Sequence, residues 1–259
     1  MKSVRKMMAL GALVFAALPA SGLDLSMETR FDSESVTCGS VGGKEKVSLN
    51  FEVGDDVCGG KLYAGLDTRY KARGGGTGKM APYIGYSHVV SDWLSLDGHY
   101  QSYFYSNVAP QRKHHTNEFG LDVHFGPRMP LGISVTYNFD EREFGAETEL
   151  SGRYNLSSVG MSDFTLIGKA AFGCDRCERP DGIRDFFSPK FADGLFANDK
   201  KAYVYYTLKG DCVYAFNDNV DMWVGVRLAG NGASKGNWNN VPGGHQNALW
   251  WSCGVKASF

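Results

Sequence analysis

Two short motifs carry the residue types for acid–base chemistry: Asp97-Gly98-His99 and Asp122-Val123-His124. A carboxylate two residues from an imidazole can orient it, and an oriented imidazole can serve as a general base. Both pairs fall on the polar parity of successive period-two segments, so one register brings carboxylates of one beside imidazoles of the other. The plainer reading of Asp97, His99, Asp122 and His124 is a hydrogen-bonded polar network, and no catalytic assignment is made.

Other candidates are weaker. Ser87-His88 offers a hydroxyl and an imidazole without a clear orienting partner. His114-His115 beside Lys113 reads as a solvated loop. Cys174-Asp175-Arg176-Cys177 has redox spacing but no surrounding βαβ pattern, and one such pair is weak evidence for zinc. The glycine runs at 74–76 and 230–244 read as loops, since no strand-to-helix setting makes a phosphate cradle of them. No cofactor or metal is expected.

The elements that would position these residues are strands. Leu62, Ala64, Leu66, Thr68 and Tyr70 alternate with Tyr63, Gly65, Asp67 and Arg69. Leu131, Ile133, Val135 and Tyr137 alternate with Ser134, Thr136 and Asn138. Twelve such segments run from Leu25 to Phe259, several near ten residues, as a tilted strand needs to cross hydrocarbon. The connections at 55–60, 91–92, 126–130, 157–163 and 217–219 are short. Those at 33–45, 107–115, 174–200 and 229–246 are mostly longer. Short turns on one side and longer loops on the other are the asymmetry of a transmembrane antiparallel up-and-down β-barrel, periplasmic turns against extracellular loops. The all-β expectation is therefore a barrel of about twelve strands, its apolar row toward lipid and its polar row lining the lumen. Trp93, Tyr137, Phe139, Trp251 and Phe259, near strand ends, suit interfacial girdles. A soluble β-sandwich is the alternative, with the same apolar row turned into a core.

The chain starts with Lys2, Arg5 and Lys6, an uncharged apolar run from Met7 to Leu18, then Pro19, Ala20 and Gly22. This is the layout of a secretory signal peptide, expected at 1–22, with a barrel domain over 23–259. The run is too short for a helix spanning about 30 Å of hydrocarbon. Losing the three cations takes the formal charge from −1 to about −4, which argues against nucleic acid as a partner. A mean hydropathy of −0.27 suits either architecture, because only alternate residues of a barrel face lipid. The six cysteines are too irregular for a disulfide framework.

The final segment resembles the C-terminal signature of Gram-negative outer-membrane barrels: Trp251, Cys253, Val255 and Ala257 step by two to a terminal Phe259. Val90-Ser91-Asp92-Trp93-Leu94-Ser95-Leu96 also resembles a turn and strand start of that class. The resemblance implies the bacterial outer membrane and its lipid as surroundings. It also implies recognition of Trp251, Val255, Ala257 and Phe259 by the barrel-assembly machinery. An Asp-His pair is similar to part of the omptin protease pattern, but here both pairs sit toward the predicted periplasmic ends and no second acidic pair faces them. The expected function is a narrow porin-like channel for small solutes or ions, or a non-enzymatic envelope protein. A surface binding or adhesion barrel and a barrel hydrolase are the alternatives. Residues 174–200 mix Arg176, Arg179, Arg184 and Lys190 with Phe186, Phe187, Phe191 and Phe196, and are expected to fold into the mouth.

Overall fold

The computed structural model describes residues 23–37, 40–71, 78–106, 115–126, 130–140, 143–178, 203–231 and 247–259. They form twelve antiparallel strands in one closed barrel. In chain order these are β1 (Asp24–Thr37), β2 (Ser40–Val57), β3 (Gly60–Lys71), β4 (Lys79–Ser91), β5 (Leu94–Tyr105) and β6 (His115–Phe125). They continue as β7 (Leu131–Asn138), β8 (Glu143–Asn155), β9 (Phe164–Glu178), β10 (Tyr203–Asn217), β11 (Val220–Asn231) and β12 (Asn247–Ser258). Each strand pairs with its sequence neighbours, and β1 closes on β12. The seam is anchored by two backbone bonds: Leu25 N–H to Phe259 O and Phe259 N–H to Leu25 O, both 2.8 Å.

The burial pattern is that of a soluble protein turned inside out. Asp32, Asn231, Arg227 and Ser252 are at most 3% exposed. Ile84, Leu150, Phe172, Val226 and Leu249 are 50–68% exposed on the outer wall. The buried apolar cluster is small: Ala229, Ala248 and Trp250. Water around that outer surface would cost far more than the interior recovers, at roughly 25 cal/mol per Å² of apolar area. Hydrocarbon removes the cost, so the alternation that reads as a core in a sandwich reads here as a lipid face. Every described strand has a neighbour on both sides, so none is an open edge of the sheet, which hydrocarbon would not tolerate.

The connections at one end are tight. β2 and β3 join through Cys58-Gly59, both at positive φ (53° and 78°), the backbone of a type I′ hairpin turn. Asp92-Trp93 joins β4 to β5, and Asp218-Asn219 joins β10 to β11. The latter turn is held by Asn219 N–H donating to Asn217 Oδ1 at 2.9 Å. Between β8 and β9 lies a single 3-10 turn, Leu156–Val159, capped by Asn155 and ended by Gly160 at φ 79°. Register shifts occur at Ser35/Val36, Val89/Ser91, Phe144/Ala146 and Ala215/Asn217, all toward strand ends, where bulges adjust twist.

Three sequence expectations are corrected. The stretch 33–45 is not a long loop, because β1 runs to Thr37 and β2 starts at Ser40. Its small polar and glycine residues carry no period-two signal, yet backbone pairing proceeds without one. The connection expected at 174–200 starts later, since β9 includes Cys174 and continues to Glu178. The turn expected at 55–60 shrinks to two residues. The basic and aromatic residues of 179–200 that were expected to plug the mouth lie outside the described residues, as do Lys113, His114, Cys38 and Gly74 to Gly76.

Candidate functional site

The lumen wall is built from the polar parity of every strand. Along one wall Arg30 donates to Asp32 (Nη2 to Oδ1, 2.6 Å), and Lys46 lies 3.4 Å from the other oxygen of Asp32. Arg69 pairs with Asp67 at 2.7 Å, Lys169 with Glu149 at 2.8 Å, and Arg227 with Asp211 at 2.5 Å. Each of these pairs joins residues of one strand or of adjacent strands. The charges are thus neutralised along the wall, and these pairs do not tie opposite walls together. Midway through the barrel lies a cavity of about 420 Å³ whose lining draws on eight strands, with Arg30, Lys46, Asp67, Arg69, Glu147 and Lys209 among its charged residues.

A second motif recurs along the wall: an aromatic side chain lies over a glycine of the neighbouring strand and reaches a polar group one strand further on. Tyr63 on β3 pairs with Gly85 on β4, and Tyr83 on β4 pairs with Gly65 on β3. Tyr63 passes over Gly85 to donate to Asp97 Oδ1 on β5 at 2.5 Å. Tyr83 passes over Gly65 to donate to Glu52 Oε2 on β2 at 3.0 Å. The two rings cross edge to face, with centroids 6.1 Å apart. A Cβ on Gly85 would lie 2.3 Å from the Tyr63 ring, and one on Gly65 2.3 Å from that of Tyr83. Tyr205 repeats the motif over Gly173, donating to Glu147 at 2.8 Å. So does Trp223, lying over Gly254 with the Arg30 guanidinium 5.8 Å from its ring centroid. These residues were missed in the sequence, although glycines at lumen parity opposite aromatics (Gly65, Gly85, Gly173) were the available signal.

Of the four candidates read from the sequence, the fold brings three together. Asp97 and Asp122 are direct cross-strand partners on β5 and β6. His99, two residues beyond Asp97, faces Gly120. Its Nδ1 lies 3.6 Å from Asp97 Oδ1 and 3.6 Å from Asp122 Oδ2. One ligating atom from each of the three residues fits within 4.8 Å of the others. The side chains are 21–23% exposed, so the cluster opens to the lumen. His124 stands apart, exposed and opposite Ser95, where it lines a vestibule with Trp93, Gly132 and Ser151 near the tight-turn end.

The remaining candidates do not converge. Ser87 points inward opposite Asp97, whereas His88 points outward and hydrogen-bonds Gly59 O at 3.1 Å. Neighbours on one strand face opposite sides, so this Ser–His pair makes no nucleophile and base. His115 opens β6 and stacks on Phe104, with centroids 4.7 Å apart. Cys58 is exposed in its turn, and Cys212 and Cys253 take the outward parity; none of these three is in a disulfide. Trp251, Val255 and Ala257 take the outward parity of β12, Phe259 follows the strand and is exposed, and Trp251 packs on Phe31 with ring centroids 5.2 Å apart.

No protein family and no curated protein matches the sequence. Solved structures do match by shape. An outer membrane channel from Pseudomonas putida F1 is 8% identical, with a TM-score of 0.50 over 94% of this chain and 97% of that one. The KdgM porin is 9% identical, with a TM-score of 0.49 over 91% of this chain and 99% of that one. The NanC porin is 11% identical, with a TM-score of 0.44 over 92% and 98%. The likeness to the Pseudomonas putida channel is one of fold, shared over nearly the whole of both chains.

Proposed function

We propose that the chain is a narrow, non-enzymatic channel of the bacterial outer membrane, porin-like in the size of its lumen. The carrying observation is the cavity of about 420 Å³ in the middle of a closed barrel, bounded by charges paired along the wall. Twelve strands enclose more room than eight, whose side chains fill the interior, and less than the sixteen or so of open porins. A wall satisfied locally leaves the axis to water, so small solutes and ions are the expected cargo. The Ser–His form of an enzyme reading lacks support, because Ser87 and His88 face opposite sides of β4.

Residues 1–22 are proposed to be removed on export. Trp251, Val255, Ala257 and Phe259 are proposed to form the segment read by the barrel-assembly machinery, with outer-membrane lipid against the apolar wall. Asp97, His99, Asp122 and His124 are proposed as polar lumen residues rather than catalytic ones. Single-channel recording of the refolded protein in a planar bilayer tests the main reading. Discrete current steps are expected; a silent bilayer with correctly folded barrel inserted would overturn it.

A further inference from the structure

We infer that Asp97, His99 and Asp122 form a binding site for one divalent transition-metal ion, Zn²⁺ fitting best, in the wall of the lumen. The first ground is distance. Zinc bonds to nitrogen and oxygen of about 2.1 Å in a tetrahedral arrangement put neighbouring ligand atoms roughly 3.4 Å apart. His99 Nδ1 lies 3.6 Å from an oxygen of each carboxylate, close to that spacing and longer than the 2.7–3.2 Å range of a good hydrogen bond. The imidazole stands between two carboxylates at ligand spacing.

The second ground is electrostatic. Asp97 and Asp122 face each other directly across β5 and β6, and like charges in that position are destabilising. A bound dication would offset that repulsion with both oxygens in place.

The third ground is the support around the ligands. A Cβ on Gly120 would stand 2.2 Å from the His99 ring, so glycine there gives the imidazole the room to lie with Nδ1 toward the acids. Tyr63, from two strands away, donates to Asp97 at 2.5 Å and orients that carboxylate, as outer-shell groups commonly do around metal ligands. One nitrogen and two carboxylate oxygens suit a transition-metal dication better than Mg²⁺ or Ca²⁺, which take oxygen ligands throughout. The remaining coordination position faces the water of the lumen.

The test uses untagged refolded protein in detergent micelles, titrated with Zn²⁺ by calorimetry and with Co²⁺ by visible absorption. It requires no conductance, so its outcome is independent of the channel assignment. One ion per barrel is expected, with Co²⁺ bands of a low-coordinate site. His99→Ala and the near-isosteric Asp122→Asn should each abolish binding, and Tyr63→Phe should weaken it about 10- to 100-fold. His88→Ala, on the outer wall, should leave it unchanged. Heat-modifiable migration on gels confirms folding of each variant, and Asp122→Asn serves if His99→Ala does not fold. Absence of binding to the folded parent, or binding unaltered in folded His99→Ala or Asp122→Asn, overturns the site.

Discussion

Tyr63 and Asp97 are hydrogen-bonded across an entire intervening strand: the phenol leaves β3, lies over Gly85 of β4, and meets the carboxylate on β5 at 2.5 Å. The contact links three consecutive strands through side chains as well as backbone. It depends on a glycine whose missing Cβ is the space the ring fills.

Gly85→Leu should therefore evict the Tyr63 ring and strip Asp97 of its donor. Overpacking of this kind costs about 1–3 kcal/mol. Gly168→Ala is the comparison, since a Cβ there meets nothing within 4 Å, and a change within about 0.5 kcal/mol is expected. Urea unfolding in lipid vesicles measures both; equal effects would show that the glycine does not shape the wall.

The cavity lining carries four cations (Arg30, Lys46, Arg69, Lys209) against three carboxylates (Glu28, Asp67, Glu147), a formal excess of one positive charge. A weak preference for anions follows. Lys209→Glu changes the balance by two, to one negative, and should reverse the sign of the zero-current potential in a salt gradient. An unchanged sign would mean that ions do not pass this cavity.

Trp250 and Trp251 are adjacent yet 7% and 49% exposed, on opposite faces of β12. In variants retaining one tryptophan each, lipids brominated on their chains should quench Trp251 strongly and Trp250 weakly. Equal quenching would contradict the assignment of the outer wall to hydrocarbon.

Arg227 is ion-paired with Asp211 at 2.5 Å, with side chains 4% and 17% exposed, and its guanidinium lies 5.4 Å from the Trp223 ring centroid. Removing one partner of a buried pair costs about 3–5 kcal/mol, while replacing both is often neutral. Arg227→Leu should lower stability by that order, and adding Asp211→Leu should restore most of it. Denaturant midpoints of the two variants decide.

Much of this was legible in the sequence because lipid and water impose a strict alternation on a membrane-crossing strand. Leu62 to Tyr70 and Leu131 to Tyr137 report their faces directly, and Asp67 and Arg69, on the polar parity of β3, turn into the cavity. The pairing of Asp97 with Asp122 was within reach for the same reason, since adjacent strands joined by one connection allow few registers. The strand extensions were not legible. Ser33 to Thr37, Ser40 to Lys44 and Cys174 to Glu178 belong to paired strands, yet lack the repeating apolar residues that mark the middle of a strand. Contacts that skip a strand were also hidden. Nothing near Tyr63 in the chain announces Asp97, and the position of Gly85 acquires meaning only when β4 is laid between them.

The bond pair joining Leu25 to Phe259 has a kinetic consequence. Its two partners are 234 positions apart in the chain, so β1 must wait for β12 before the wall can close. Until then the growing sheet has two raw margins, each able to recruit a stranger. Such distant pairing is slow to find. An unfinished cylinder therefore depends on keeping both margins from other partners until β12 reaches β1.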